Sequence, residues 1–283
     1  MTKKQVQLKQ IHVTDFSLEH TIECGQFFLY NKPNNQDFYY ITQNDNVFKI
    51  KQLNNTLFYS GTKNVTDKFI THFFSLDEDL HNRTKTFTDS TLTEALQMYW
   101  GLRNIRQDLF QCMIGFVCSS ASNIPKIKNN LKLLCETFGD KIEFENKTYY
   151  SFPTPEQIND LDKIKECKTG YRAKFIYSIC ETLQSNNTLE HIKTLNYLDS
   201  QKALMEFMGI GIKVADCICL FALCHKESFP VDTWIKQIIE RMYLNGEERT
   251  LKEISKYIKV TFTENAGLAQ QYLFHWARFN LKK

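Results

Sequence analysis

Two different patterns of hydrophobic positions divide this chain. In residues 1 to about 85, aromatic and β-branched residues occur at close spacing in three short segments, residues 38–42, 46–51 and 56–60. Turn sequences, Pro33-Asn-Asn and Gln43-Asn-Asp-Asn, lie next to these segments. This part is therefore expected to form a meandering antiparallel sheet with one packed face.

From about residue 88 the hydrophobic period becomes helical. Leu92, Ala95, Leu96 and Tyr99 share one helical face, and residues 109–118 are apolar almost throughout, which predicts a buried helix. Thr154-Pro-Glu-Gln157 has the form of a capping box with proline in the first helical position. Further helices are expected over residues 124–138, 171–184, 200–207, 212–224, 233–243, 251–261 and 266–279.

These patterns favour an α+β fold. Because strands and helices do not alternate, a doubly wound sheet is excluded. We expect three parts: an antiparallel β-rich N-terminal domain over residues 1–87, a helical subdomain over 88–198, and a second helical subdomain over 199–283 that carries a helix–hairpin–helix motif.

Composition excludes several protein classes. With 283 residues and 42% hydrophobic content the chain is globular, and a net charge of +3 is compatible with a local basic face. The nine cysteines include no Cys-x-x-Cys pair, so neither zinc nor an iron–sulfur cluster is expected. The sequence shows no signal peptide and no apolar run of the roughly 18 residues a membrane span needs, so we expect an intracellular protein with no membrane partner, and by default a monomer.

The segment Met208-Gly-Ile-Gly-Ile-Lys-Val-Ala-Asp-Cys217 predicts a tight turn between two helices. Asp199 or Ser200 is a candidate cap for the first helix, Gly209 and Gly211 permit unusual backbone angles, and the second helix begins at Ile212. Free N–H groups at a helix start form an anion site suited to a DNA phosphate. A dinucleotide-binding loop is excluded because valine replaces the third glycine at position 214. A plain helical corner remains open from the glycines alone.

Lys213 and Asp232 are the candidate catalytic residues of this segment. The helix that Lys213 opens is apolar nearly all round, so its amine is placed at the edge of a core, where desolvation and the positive helix end favour the neutral, nucleophilic form. The alternative is a lysine that reaches solvent or binds phosphate. Asp232 precedes the periodic segment that begins at Trp234, so it is placed to cap a helix, and its carboxylate can also stabilise positive charge or move protons.

Together these residues resemble the helix–hairpin–helix superfamily of DNA glycosylases, and specifically the eukaryotic-like 8-oxoguanine DNA glycosylases. The separation of 19 positions from Lys213 to Asp232 (232 − 213 = 19) and the string Lys-Val-Ala-Asp-Cys-Ile-Cys-Leu carry the likeness. Further segments match in the same order, covering most of the chain from about residue 20: Gly101–Asp108, Phe116–Ser120, Gly170–Lys174 and Ala269–Phe274.

The resemblance implies a bifunctional enzyme that acts on double-stranded DNA containing 8-oxoguanine. Lys213 would attack C1′ of the flipped nucleotide, expel the base and form a Schiff base that undergoes β-elimination, assisted by Asp232. Tyr171 would wedge into the gap that the base leaves. An alkylated-base glycosylase is the alternative within the superfamily, but that branch generally lacks the lysine. A non-catalytic DNA-binding module is the alternative from another class.

The resemblance also assigns a lesion pocket. The Gly25 carbonyl would accept the N7–H that only the oxidised guanine carries, Gln270 would meet the Watson–Crick edge, and Phe274 would stack on the base opposite Cys217. Taken without this context, Gly25 is a strand-bulge glycine, Gln270 a surface residue and Phe274 a core residue.

This chain departs from the family pattern at the positions that face the opposite base. Alanine stands at 121 and lysine at 126 where the family usually has asparagine and arginine, while Arg172 is retained. The alanine side chain has no hydrogen-bond donor, and lysine lacks the planar guanidinium that can donate two hydrogen bonds to one cytosine. We therefore expect weak preference for the base opposite the lesion. Trp234 stands where many relatives have a histidine that contacts phosphate, and at this position an indole would stack or donate one N–H.

No cofactor is expected from the side chains. By the same resemblance, the main-chain carbonyls near Met205, Phe207 and Ile210 are a candidate site for a structural cation that bridges to phosphate.

Overall fold

The computed structural model describes residues 8–185 and 188–281. Its N-terminal part contains a five-stranded antiparallel sheet in the order β1-β5-β4-β3-β2. The predicted meander of three strands is confirmed, and two short strands flank it. The strands are β1 (Lys9–His12), β2 (Tyr30–Asn31), β3 (Tyr39–Gln43), β4 (Asn46–Leu53) and β5 (Thr56–Gly61).

Helices make up most of the rest of the described chain, which confirms the α+β class. They are α1 (Leu18–Glu23), α2 (Asp67–Phe73), α3 (Leu80–Thr84), α4 (Ser90–Met98), α5 (Leu109–Ser119), α6 (Ile124–Phe138), α7 (Leu161–Ile164), α8 (Arg172–Ser185), α9 (Thr188–Ile192), α10 (Tyr197–Met205), α11 (Ile212–Phe221), α12 (Thr233–Ile238), α13 (Leu251–Thr261) and α14 (Ala266–Asn280). Single π-helical turns continue α7 over Lys165–Thr169 and α12 over Ile239–Tyr243.

The expectation that only helices follow residue 88 was wrong between α6 and α7. There Lys141–Phe144 (β6) and Lys147–Tyr150 (β7) form an antiparallel hairpin. Its turn residues Glu145 and Asn146 both have positive φ, of 53° and 60°, as a type I′ hairpin turn requires. Each strand has only four residues, which is too short for a period of two to stand out although β-forming residues are present.

Three helix ends differ from the predictions. Thr154 and Gln157 make one half of the capping box, from the Thr154 N–H to Gln157 Oε1 (2.8 Å), but only an isolated turn forms there. Asn196, rather than Asp199 or Ser200, caps α10, because its side chain accepts the Asp199 N–H at 3.1 Å. The α11 helix ends at Phe221, three residues before the predicted end.

The buried side chains form three clusters. The sheet core lies between the strands and α2. The α5–α11 core consists mainly of buried side chains from the helices α5 to α11. The α14 core consists mainly of buried side chains from α4, α12, α13 and α14. Leu92 and Ala95 of α4 therefore pack with the C-terminal helices, and Cys217 of α11 packs with α5. The division at residues 87 and 198 remains a prediction. Over the described ranges, no helix is long and apolar enough to cross a bilayer.

Candidate active site

The turn between α10 and α11 is built around one glycine. Gly209 has a φ of +87°, and a Cβ at this position would lie 2.5 Å from the ring of Phe175 on α8. The prediction for Gly211 was wrong: its φ is −91°, which any residue adopts, and it serves as the N-cap of α11. Open space surrounds the Cβ position of Gly211. No side chain caps α11, so its first N–H groups have no capping partner, as an anion site requires.

Lys213 stands in the first turn of α11, at the edge of the α5–α11 core. Its side chain is half-buried, and Nζ lies 5.3 Å from the centre of the Phe116 ring. It lines a cavity of about 820 Å³ that runs between the α5–α11 core and the α14 core. A cavity of this volume admits a nucleotide-sized ligand.

Asp232 lines the same cavity from the start of α12. Its carboxylate accepts the Ile235 N–H at 2.8 Å, so the predicted cap is confirmed. Burial raises the pKa of Asp232, while hydrogen bonds from the main chain and the charge of Lys213 act in the opposite direction. A lysine and a half-buried carboxylate thus face one cavity from two different helices.

Gly25 and Phe274 form another wall of this cavity. Gly25 follows α1 with a φ of +83°, and a Cβ there would lie 3.2 Å from the Phe274 ring and 3.2 Å from Ile124. Gly25 is therefore a helix-terminating glycine in close contact with a ring. The strand-bulge interpretation is wrong, because Gly25 lies outside every strand.

Gln270 and Cys217 are buried and do not line this cavity. Gln270 is 5% exposed, which corrects its interpretation as a surface residue, and its Oε1 has no hydrogen-bond partner. Such an unpaired buried amide oxygen points to a missing polar partner. Burial raises the pKa of the Cys217 thiol to about 11, although nearby Lys213 opposes the shift, so the thiol is protonated at neutral pH.

Tyr171 and Arg172, both expected to face DNA, differ in exposure. Tyr171 is 56% exposed and donates its hydroxyl to the Ser120 carbonyl at 3.3 Å. Arg172 is buried, and its guanidinium bonds to the carbonyls of Ser120 and Ala121 (3.0 Å for Ala121). Arg172 therefore holds the loop between α5 and α6, and its donors are occupied by the main chain.

Ala121 in that loop has a left-handed φ of +46° and is exposed. Lys126 is exposed on α6, and Trp234, half-buried on α12, lines the cavity. Ala121 and Trp234 thus line the same cavity, Ala121 from the loop that Arg172 holds and Trp234 from α12, two residues after Asp232.

The candidate cation site is made of main chain alone. The Phe207 carbonyl accepts the Ile210 N–H at 3.1 Å within the turn. In the part of the chain that the structure describes, no cluster of three His, Cys, Asp or Glu side chains could hold a metal ion. The cation site at Met205, Phe207 and Ile210 stays a prediction.

Sequence reasoning missed two aromatic walls of the cavity. Phe28 and Phe116 line it and contact each other with ring centres 5.6 Å apart. Phe116 begins a segment noted for its resemblance, and Phe28 follows Gly25 by three residues. Hydrophobic periodicity assigns such residues to the core, and only the tertiary structure shows that they line the cavity.

Two protein-family models match consecutive parts of the chain. Residues 9–113 match the family model described as 8-oxoguanine DNA glycosylase, N-terminal domain. Residues 114–263 match the model described as HhH-GPD superfamily base excision DNA repair protein.

Individual relatives agree with these models. The N-glycosylase/DNA lyase of Saccharomyces cerevisiae is 31% identical over 70% of this chain and 57% of its own length, so the match spans little more than half of the yeast protein. The solved structure of MBOgg1 with a low-affinity DNA ligand has a TM-score of 0.90 at 32% identity, covering 98% of this chain and 99% of that one. The 8-oxoguanine glycosylase/lyase of Clostridium acetobutylicum, in complex with double-stranded DNA containing cytosine opposite 8-oxoG, has a TM-score of 0.88 at 29% identity, with 98% and 99% covered.

Proposed function

Because this chain belongs to the HhH-GPD superfamily of base excision DNA repair proteins, we propose that it is a bifunctional glycosylase and abasic-site lyase that removes 8-oxoguanine from duplex DNA. The observation that carries this proposal is the cavity that Lys213 and Asp232 share with Gly25 and Phe274. A lyase needs an amine at the reacting sugar, and specificity for the lesion needs an acceptor for one additional proton.

In the proposed reaction, Lys213 Nζ bonds to C1′ as the C1′–N9 bond breaks and the base leaves with that electron pair. A proton then moves from nitrogen to O4′ as the C1′–O4′ bond breaks, which gives the imine. Removal of a C2′ proton finally expels the 3′ phosphate, so that β-elimination breaks the C3′–O bond. The half-buried Asp232 carboxylate stabilises the positive charge on the sugar and shuttles protons. Hydrophobic walls, including Phe116 at 5.3 Å from Nζ, limit the water around the amine.

Recognition of the lesion is assigned to Gly25 and Phe274, which line the cavity, and to two buried residues on the helices of Lys213 and Phe274. The Gly25 carbonyl accepts N7–H, the unpaired Gln270 amide reads the base edge, and Phe274 stacks on the base, opposite Cys217. Since Gln270 and Cys217 are buried, contact between a base and these two residues requires the side chains that cover them to move.

The surrounding rim binds the duplex. The N–H groups near Gly209 and Gly211 bind a phosphate, Tyr171 enters the stack in place of the flipped base, and Lys126 contributes positive charge. Phosphate contacts make affinity fall with salt. We expect one monomer to act on one lesion.

Weak preference for the opposite base forms part of the proposal. Ala121 offers no side-chain donor, and the donors of Arg172 are bonded to loop carbonyls. Excision rates opposite cytosine and opposite adenine are therefore expected to lie within about tenfold of each other, since one good base contact is worth about 1–3 kcal/mol. A hundredfold preference for cytosine would contradict this expectation.

Borohydride trapping tests the central step. The wild-type protein and an 8-oxoguanine duplex should give a crosslinked band, and Lys213→Gln should lose the band while it retains duplex binding. Trapping of the variant at the wild-type level would show that another amine is the nucleophile. A wild-type protein that binds but neither traps nor excises would refute the proposed activity.

A further inference from the structure

The main chain around Gly25 is held by side chains from distant parts of the sequence. Arg278 Nη1 donates to the Glu23 carbonyl at 3.1 Å, and Gln271 Nε2 donates to the Cys24 carbonyl at 3.0 Å. Gln107 Nε2 donates to the carbonyl of Gln26 at 2.7 Å. Of the four successive carbonyls from residue 23 to residue 26, three therefore accept a side-chain hydrogen bond.

The fourth carbonyl is that of Gly25 itself. Across the described ranges, no hydrogen bond reaches this oxygen, although Gly25 lines the cavity. This carbonyl belongs to the peptide between residues 25 and 26. The preceding peptide, between 24 and 25, is held by Gln271, and the following peptide, between 26 and 27, is held by Gln107. With both neighbouring peptides held, the directions that the Gly25 carbonyl can take are restricted.

These donors are themselves immobilised. Gln271 is 2% exposed and follows Gln270 on α14, so one helix carries both the amide that would read the base edge and the amide that fixes the carbonyl segment. The main-chain N–H of Gln107 donates to the Phe221 carbonyl of α11 at 2.8 Å, which ties the same segment to the helix of Lys213.

The Gln26 side chain completes the frame. Its amide donates to the carbonyls of Thr21 (2.9 Å) and Arg103 (2.7 Å), and its Oε1 accepts the Ile105 N–H at 2.8 Å. Every side-chain polar atom of Gln26 is thus used to fix the main chain on which Gly25 sits.

We propose that Gln271 and Gln107 are positioning residues for lesion selectivity, which aim the free Gly25 carbonyl at the extra N–H of the oxidised base. The inference rests on the proposed function, and it adds that discrimination depends on two amides that do not touch the base. Because hydrogen bonds weaken steeply away from linearity, a small rotation of this peptide removes the contact.

The test separates base recognition from chemistry. Gln271→Met and Gln107→Met keep the side-chain length and remove the amide. Single-turnover excision of 8-oxoguanine should fall about tenfold in each, the equivalent of about 1.4 kcal/mol or one hydrogen bond. Cleavage of a preformed abasic site, which contains no base to recognise, should stay within about twofold of the wild-type rate.

Asn130→Leu is the matched control. Asn130 is fully buried and its amide donates to the Cys167 carbonyl at 2.9 Å, so the variant also loses a buried amide-to-carbonyl bond, but away from the cavity. It should be destabilised to a similar degree and leave both reaction rates unchanged.

Three results would overturn the inference. They are unchanged excision in both glutamine variants, abasic-site cleavage that falls in parallel with excision, or an equal loss of excision in Asn130→Leu. Should Gln271→Met fail to fold, Gln107→Met decides alone. A wild-type protein without excision would instead count against the proposed function.

Discussion

The turn between α10 and α11 offers a comparison of two glycines that differ in one physical respect. Gly209→Ala places a methyl group 2.5 Å from the Cγ and Cδ2 atoms of the Phe175 ring and 2.8 Å from its Cβ, so the ring cannot avoid it by moving only its far end. The residue must also keep a φ of +87°. Gly211→Ala meets open space at a φ of −91°.

The expected energies follow from these contacts. Left-handed backbone costs an L-residue about 1–2 kcal/mol, and overpacking adds about 1–3 kcal/mol. Gly209→Ala should therefore lose about 2–5 kcal/mol of unfolding free energy. In Gly211→Ala, alanine is the poorer N-cap, which destabilises the fold by up to about 1 kcal/mol. The lower entropy of the unfolded chain stabilises the fold by a similar amount, so the net change is close to zero.

Two measurements check this prediction. Thermal unfolding should show a midpoint several degrees lower for Gly209→Ala and almost unchanged for Gly211→Ala. Affinity for a lesion-free duplex at fixed salt should fall about tenfold or more in Gly209→Ala, since charge-assisted hydrogen bonds from the turn to phosphate lose their alignment. Equal stability of the two variants would refute the argument from φ and the Phe175 contact.

Three further predictions concern single side chains. Asp232→Asn should still accept the Ile235 N–H and cap α12, so its stability should stay within about 1 kcal/mol of wild type. Single-turnover excision should fall about 10²–10⁴-fold. A variant as active as wild type would show that the carboxylate takes no part in the chemistry. Burial alone would raise the pKa of Glu78, but Arg83, Lys226 and neighbouring cations lower it to about 2. Because the folded pKa lies below the ordinary value of 4.5, the stabilisation is present above that value and is lost as the pH falls toward 2. Urea titrations should show that the difference in unfolding free energy between wild type and Glu78→Gln, at most about 3 kcal/mol, disappears as the pH is lowered from 4.5 toward 2. A difference that stays constant over this pH range would contradict the assignment. Ala121→Asn should fold well, since asparagine tolerates the φ of +46°, and should raise the ratio of excision opposite cytosine to that opposite adenine about 5–10-fold, measured on paired duplexes; an unchanged ratio would show that this position does not face the orphaned base.

Much of the local structure could be predicted from the sequence, because its causes lie within a few residues. The three central strands, the helix start at Ile212 and the cap at Asp232 follow from alternation, glycine chemistry and side-chain oxygen placement. The β6–β7 hairpin could not be predicted in the same way. Its strands have four residues each and are defined by pairing with each other, and periodicity does not report pairing.

The sequence by itself also determined which chemical groups are available: one lysine at a helix start, a downstream aspartate and a glycine turn. The tertiary structure decided how they meet. Gly25, Lys213, Asp232 and Phe274 lie on four separate segments, and the packing of two hydrophobic cores against each other creates the cavity between them. Only that packing brings Gln271 to the Cys24 carbonyl across 247 residues of chain, since contacts this distant arise from the burial of whole faces and leave no local pattern.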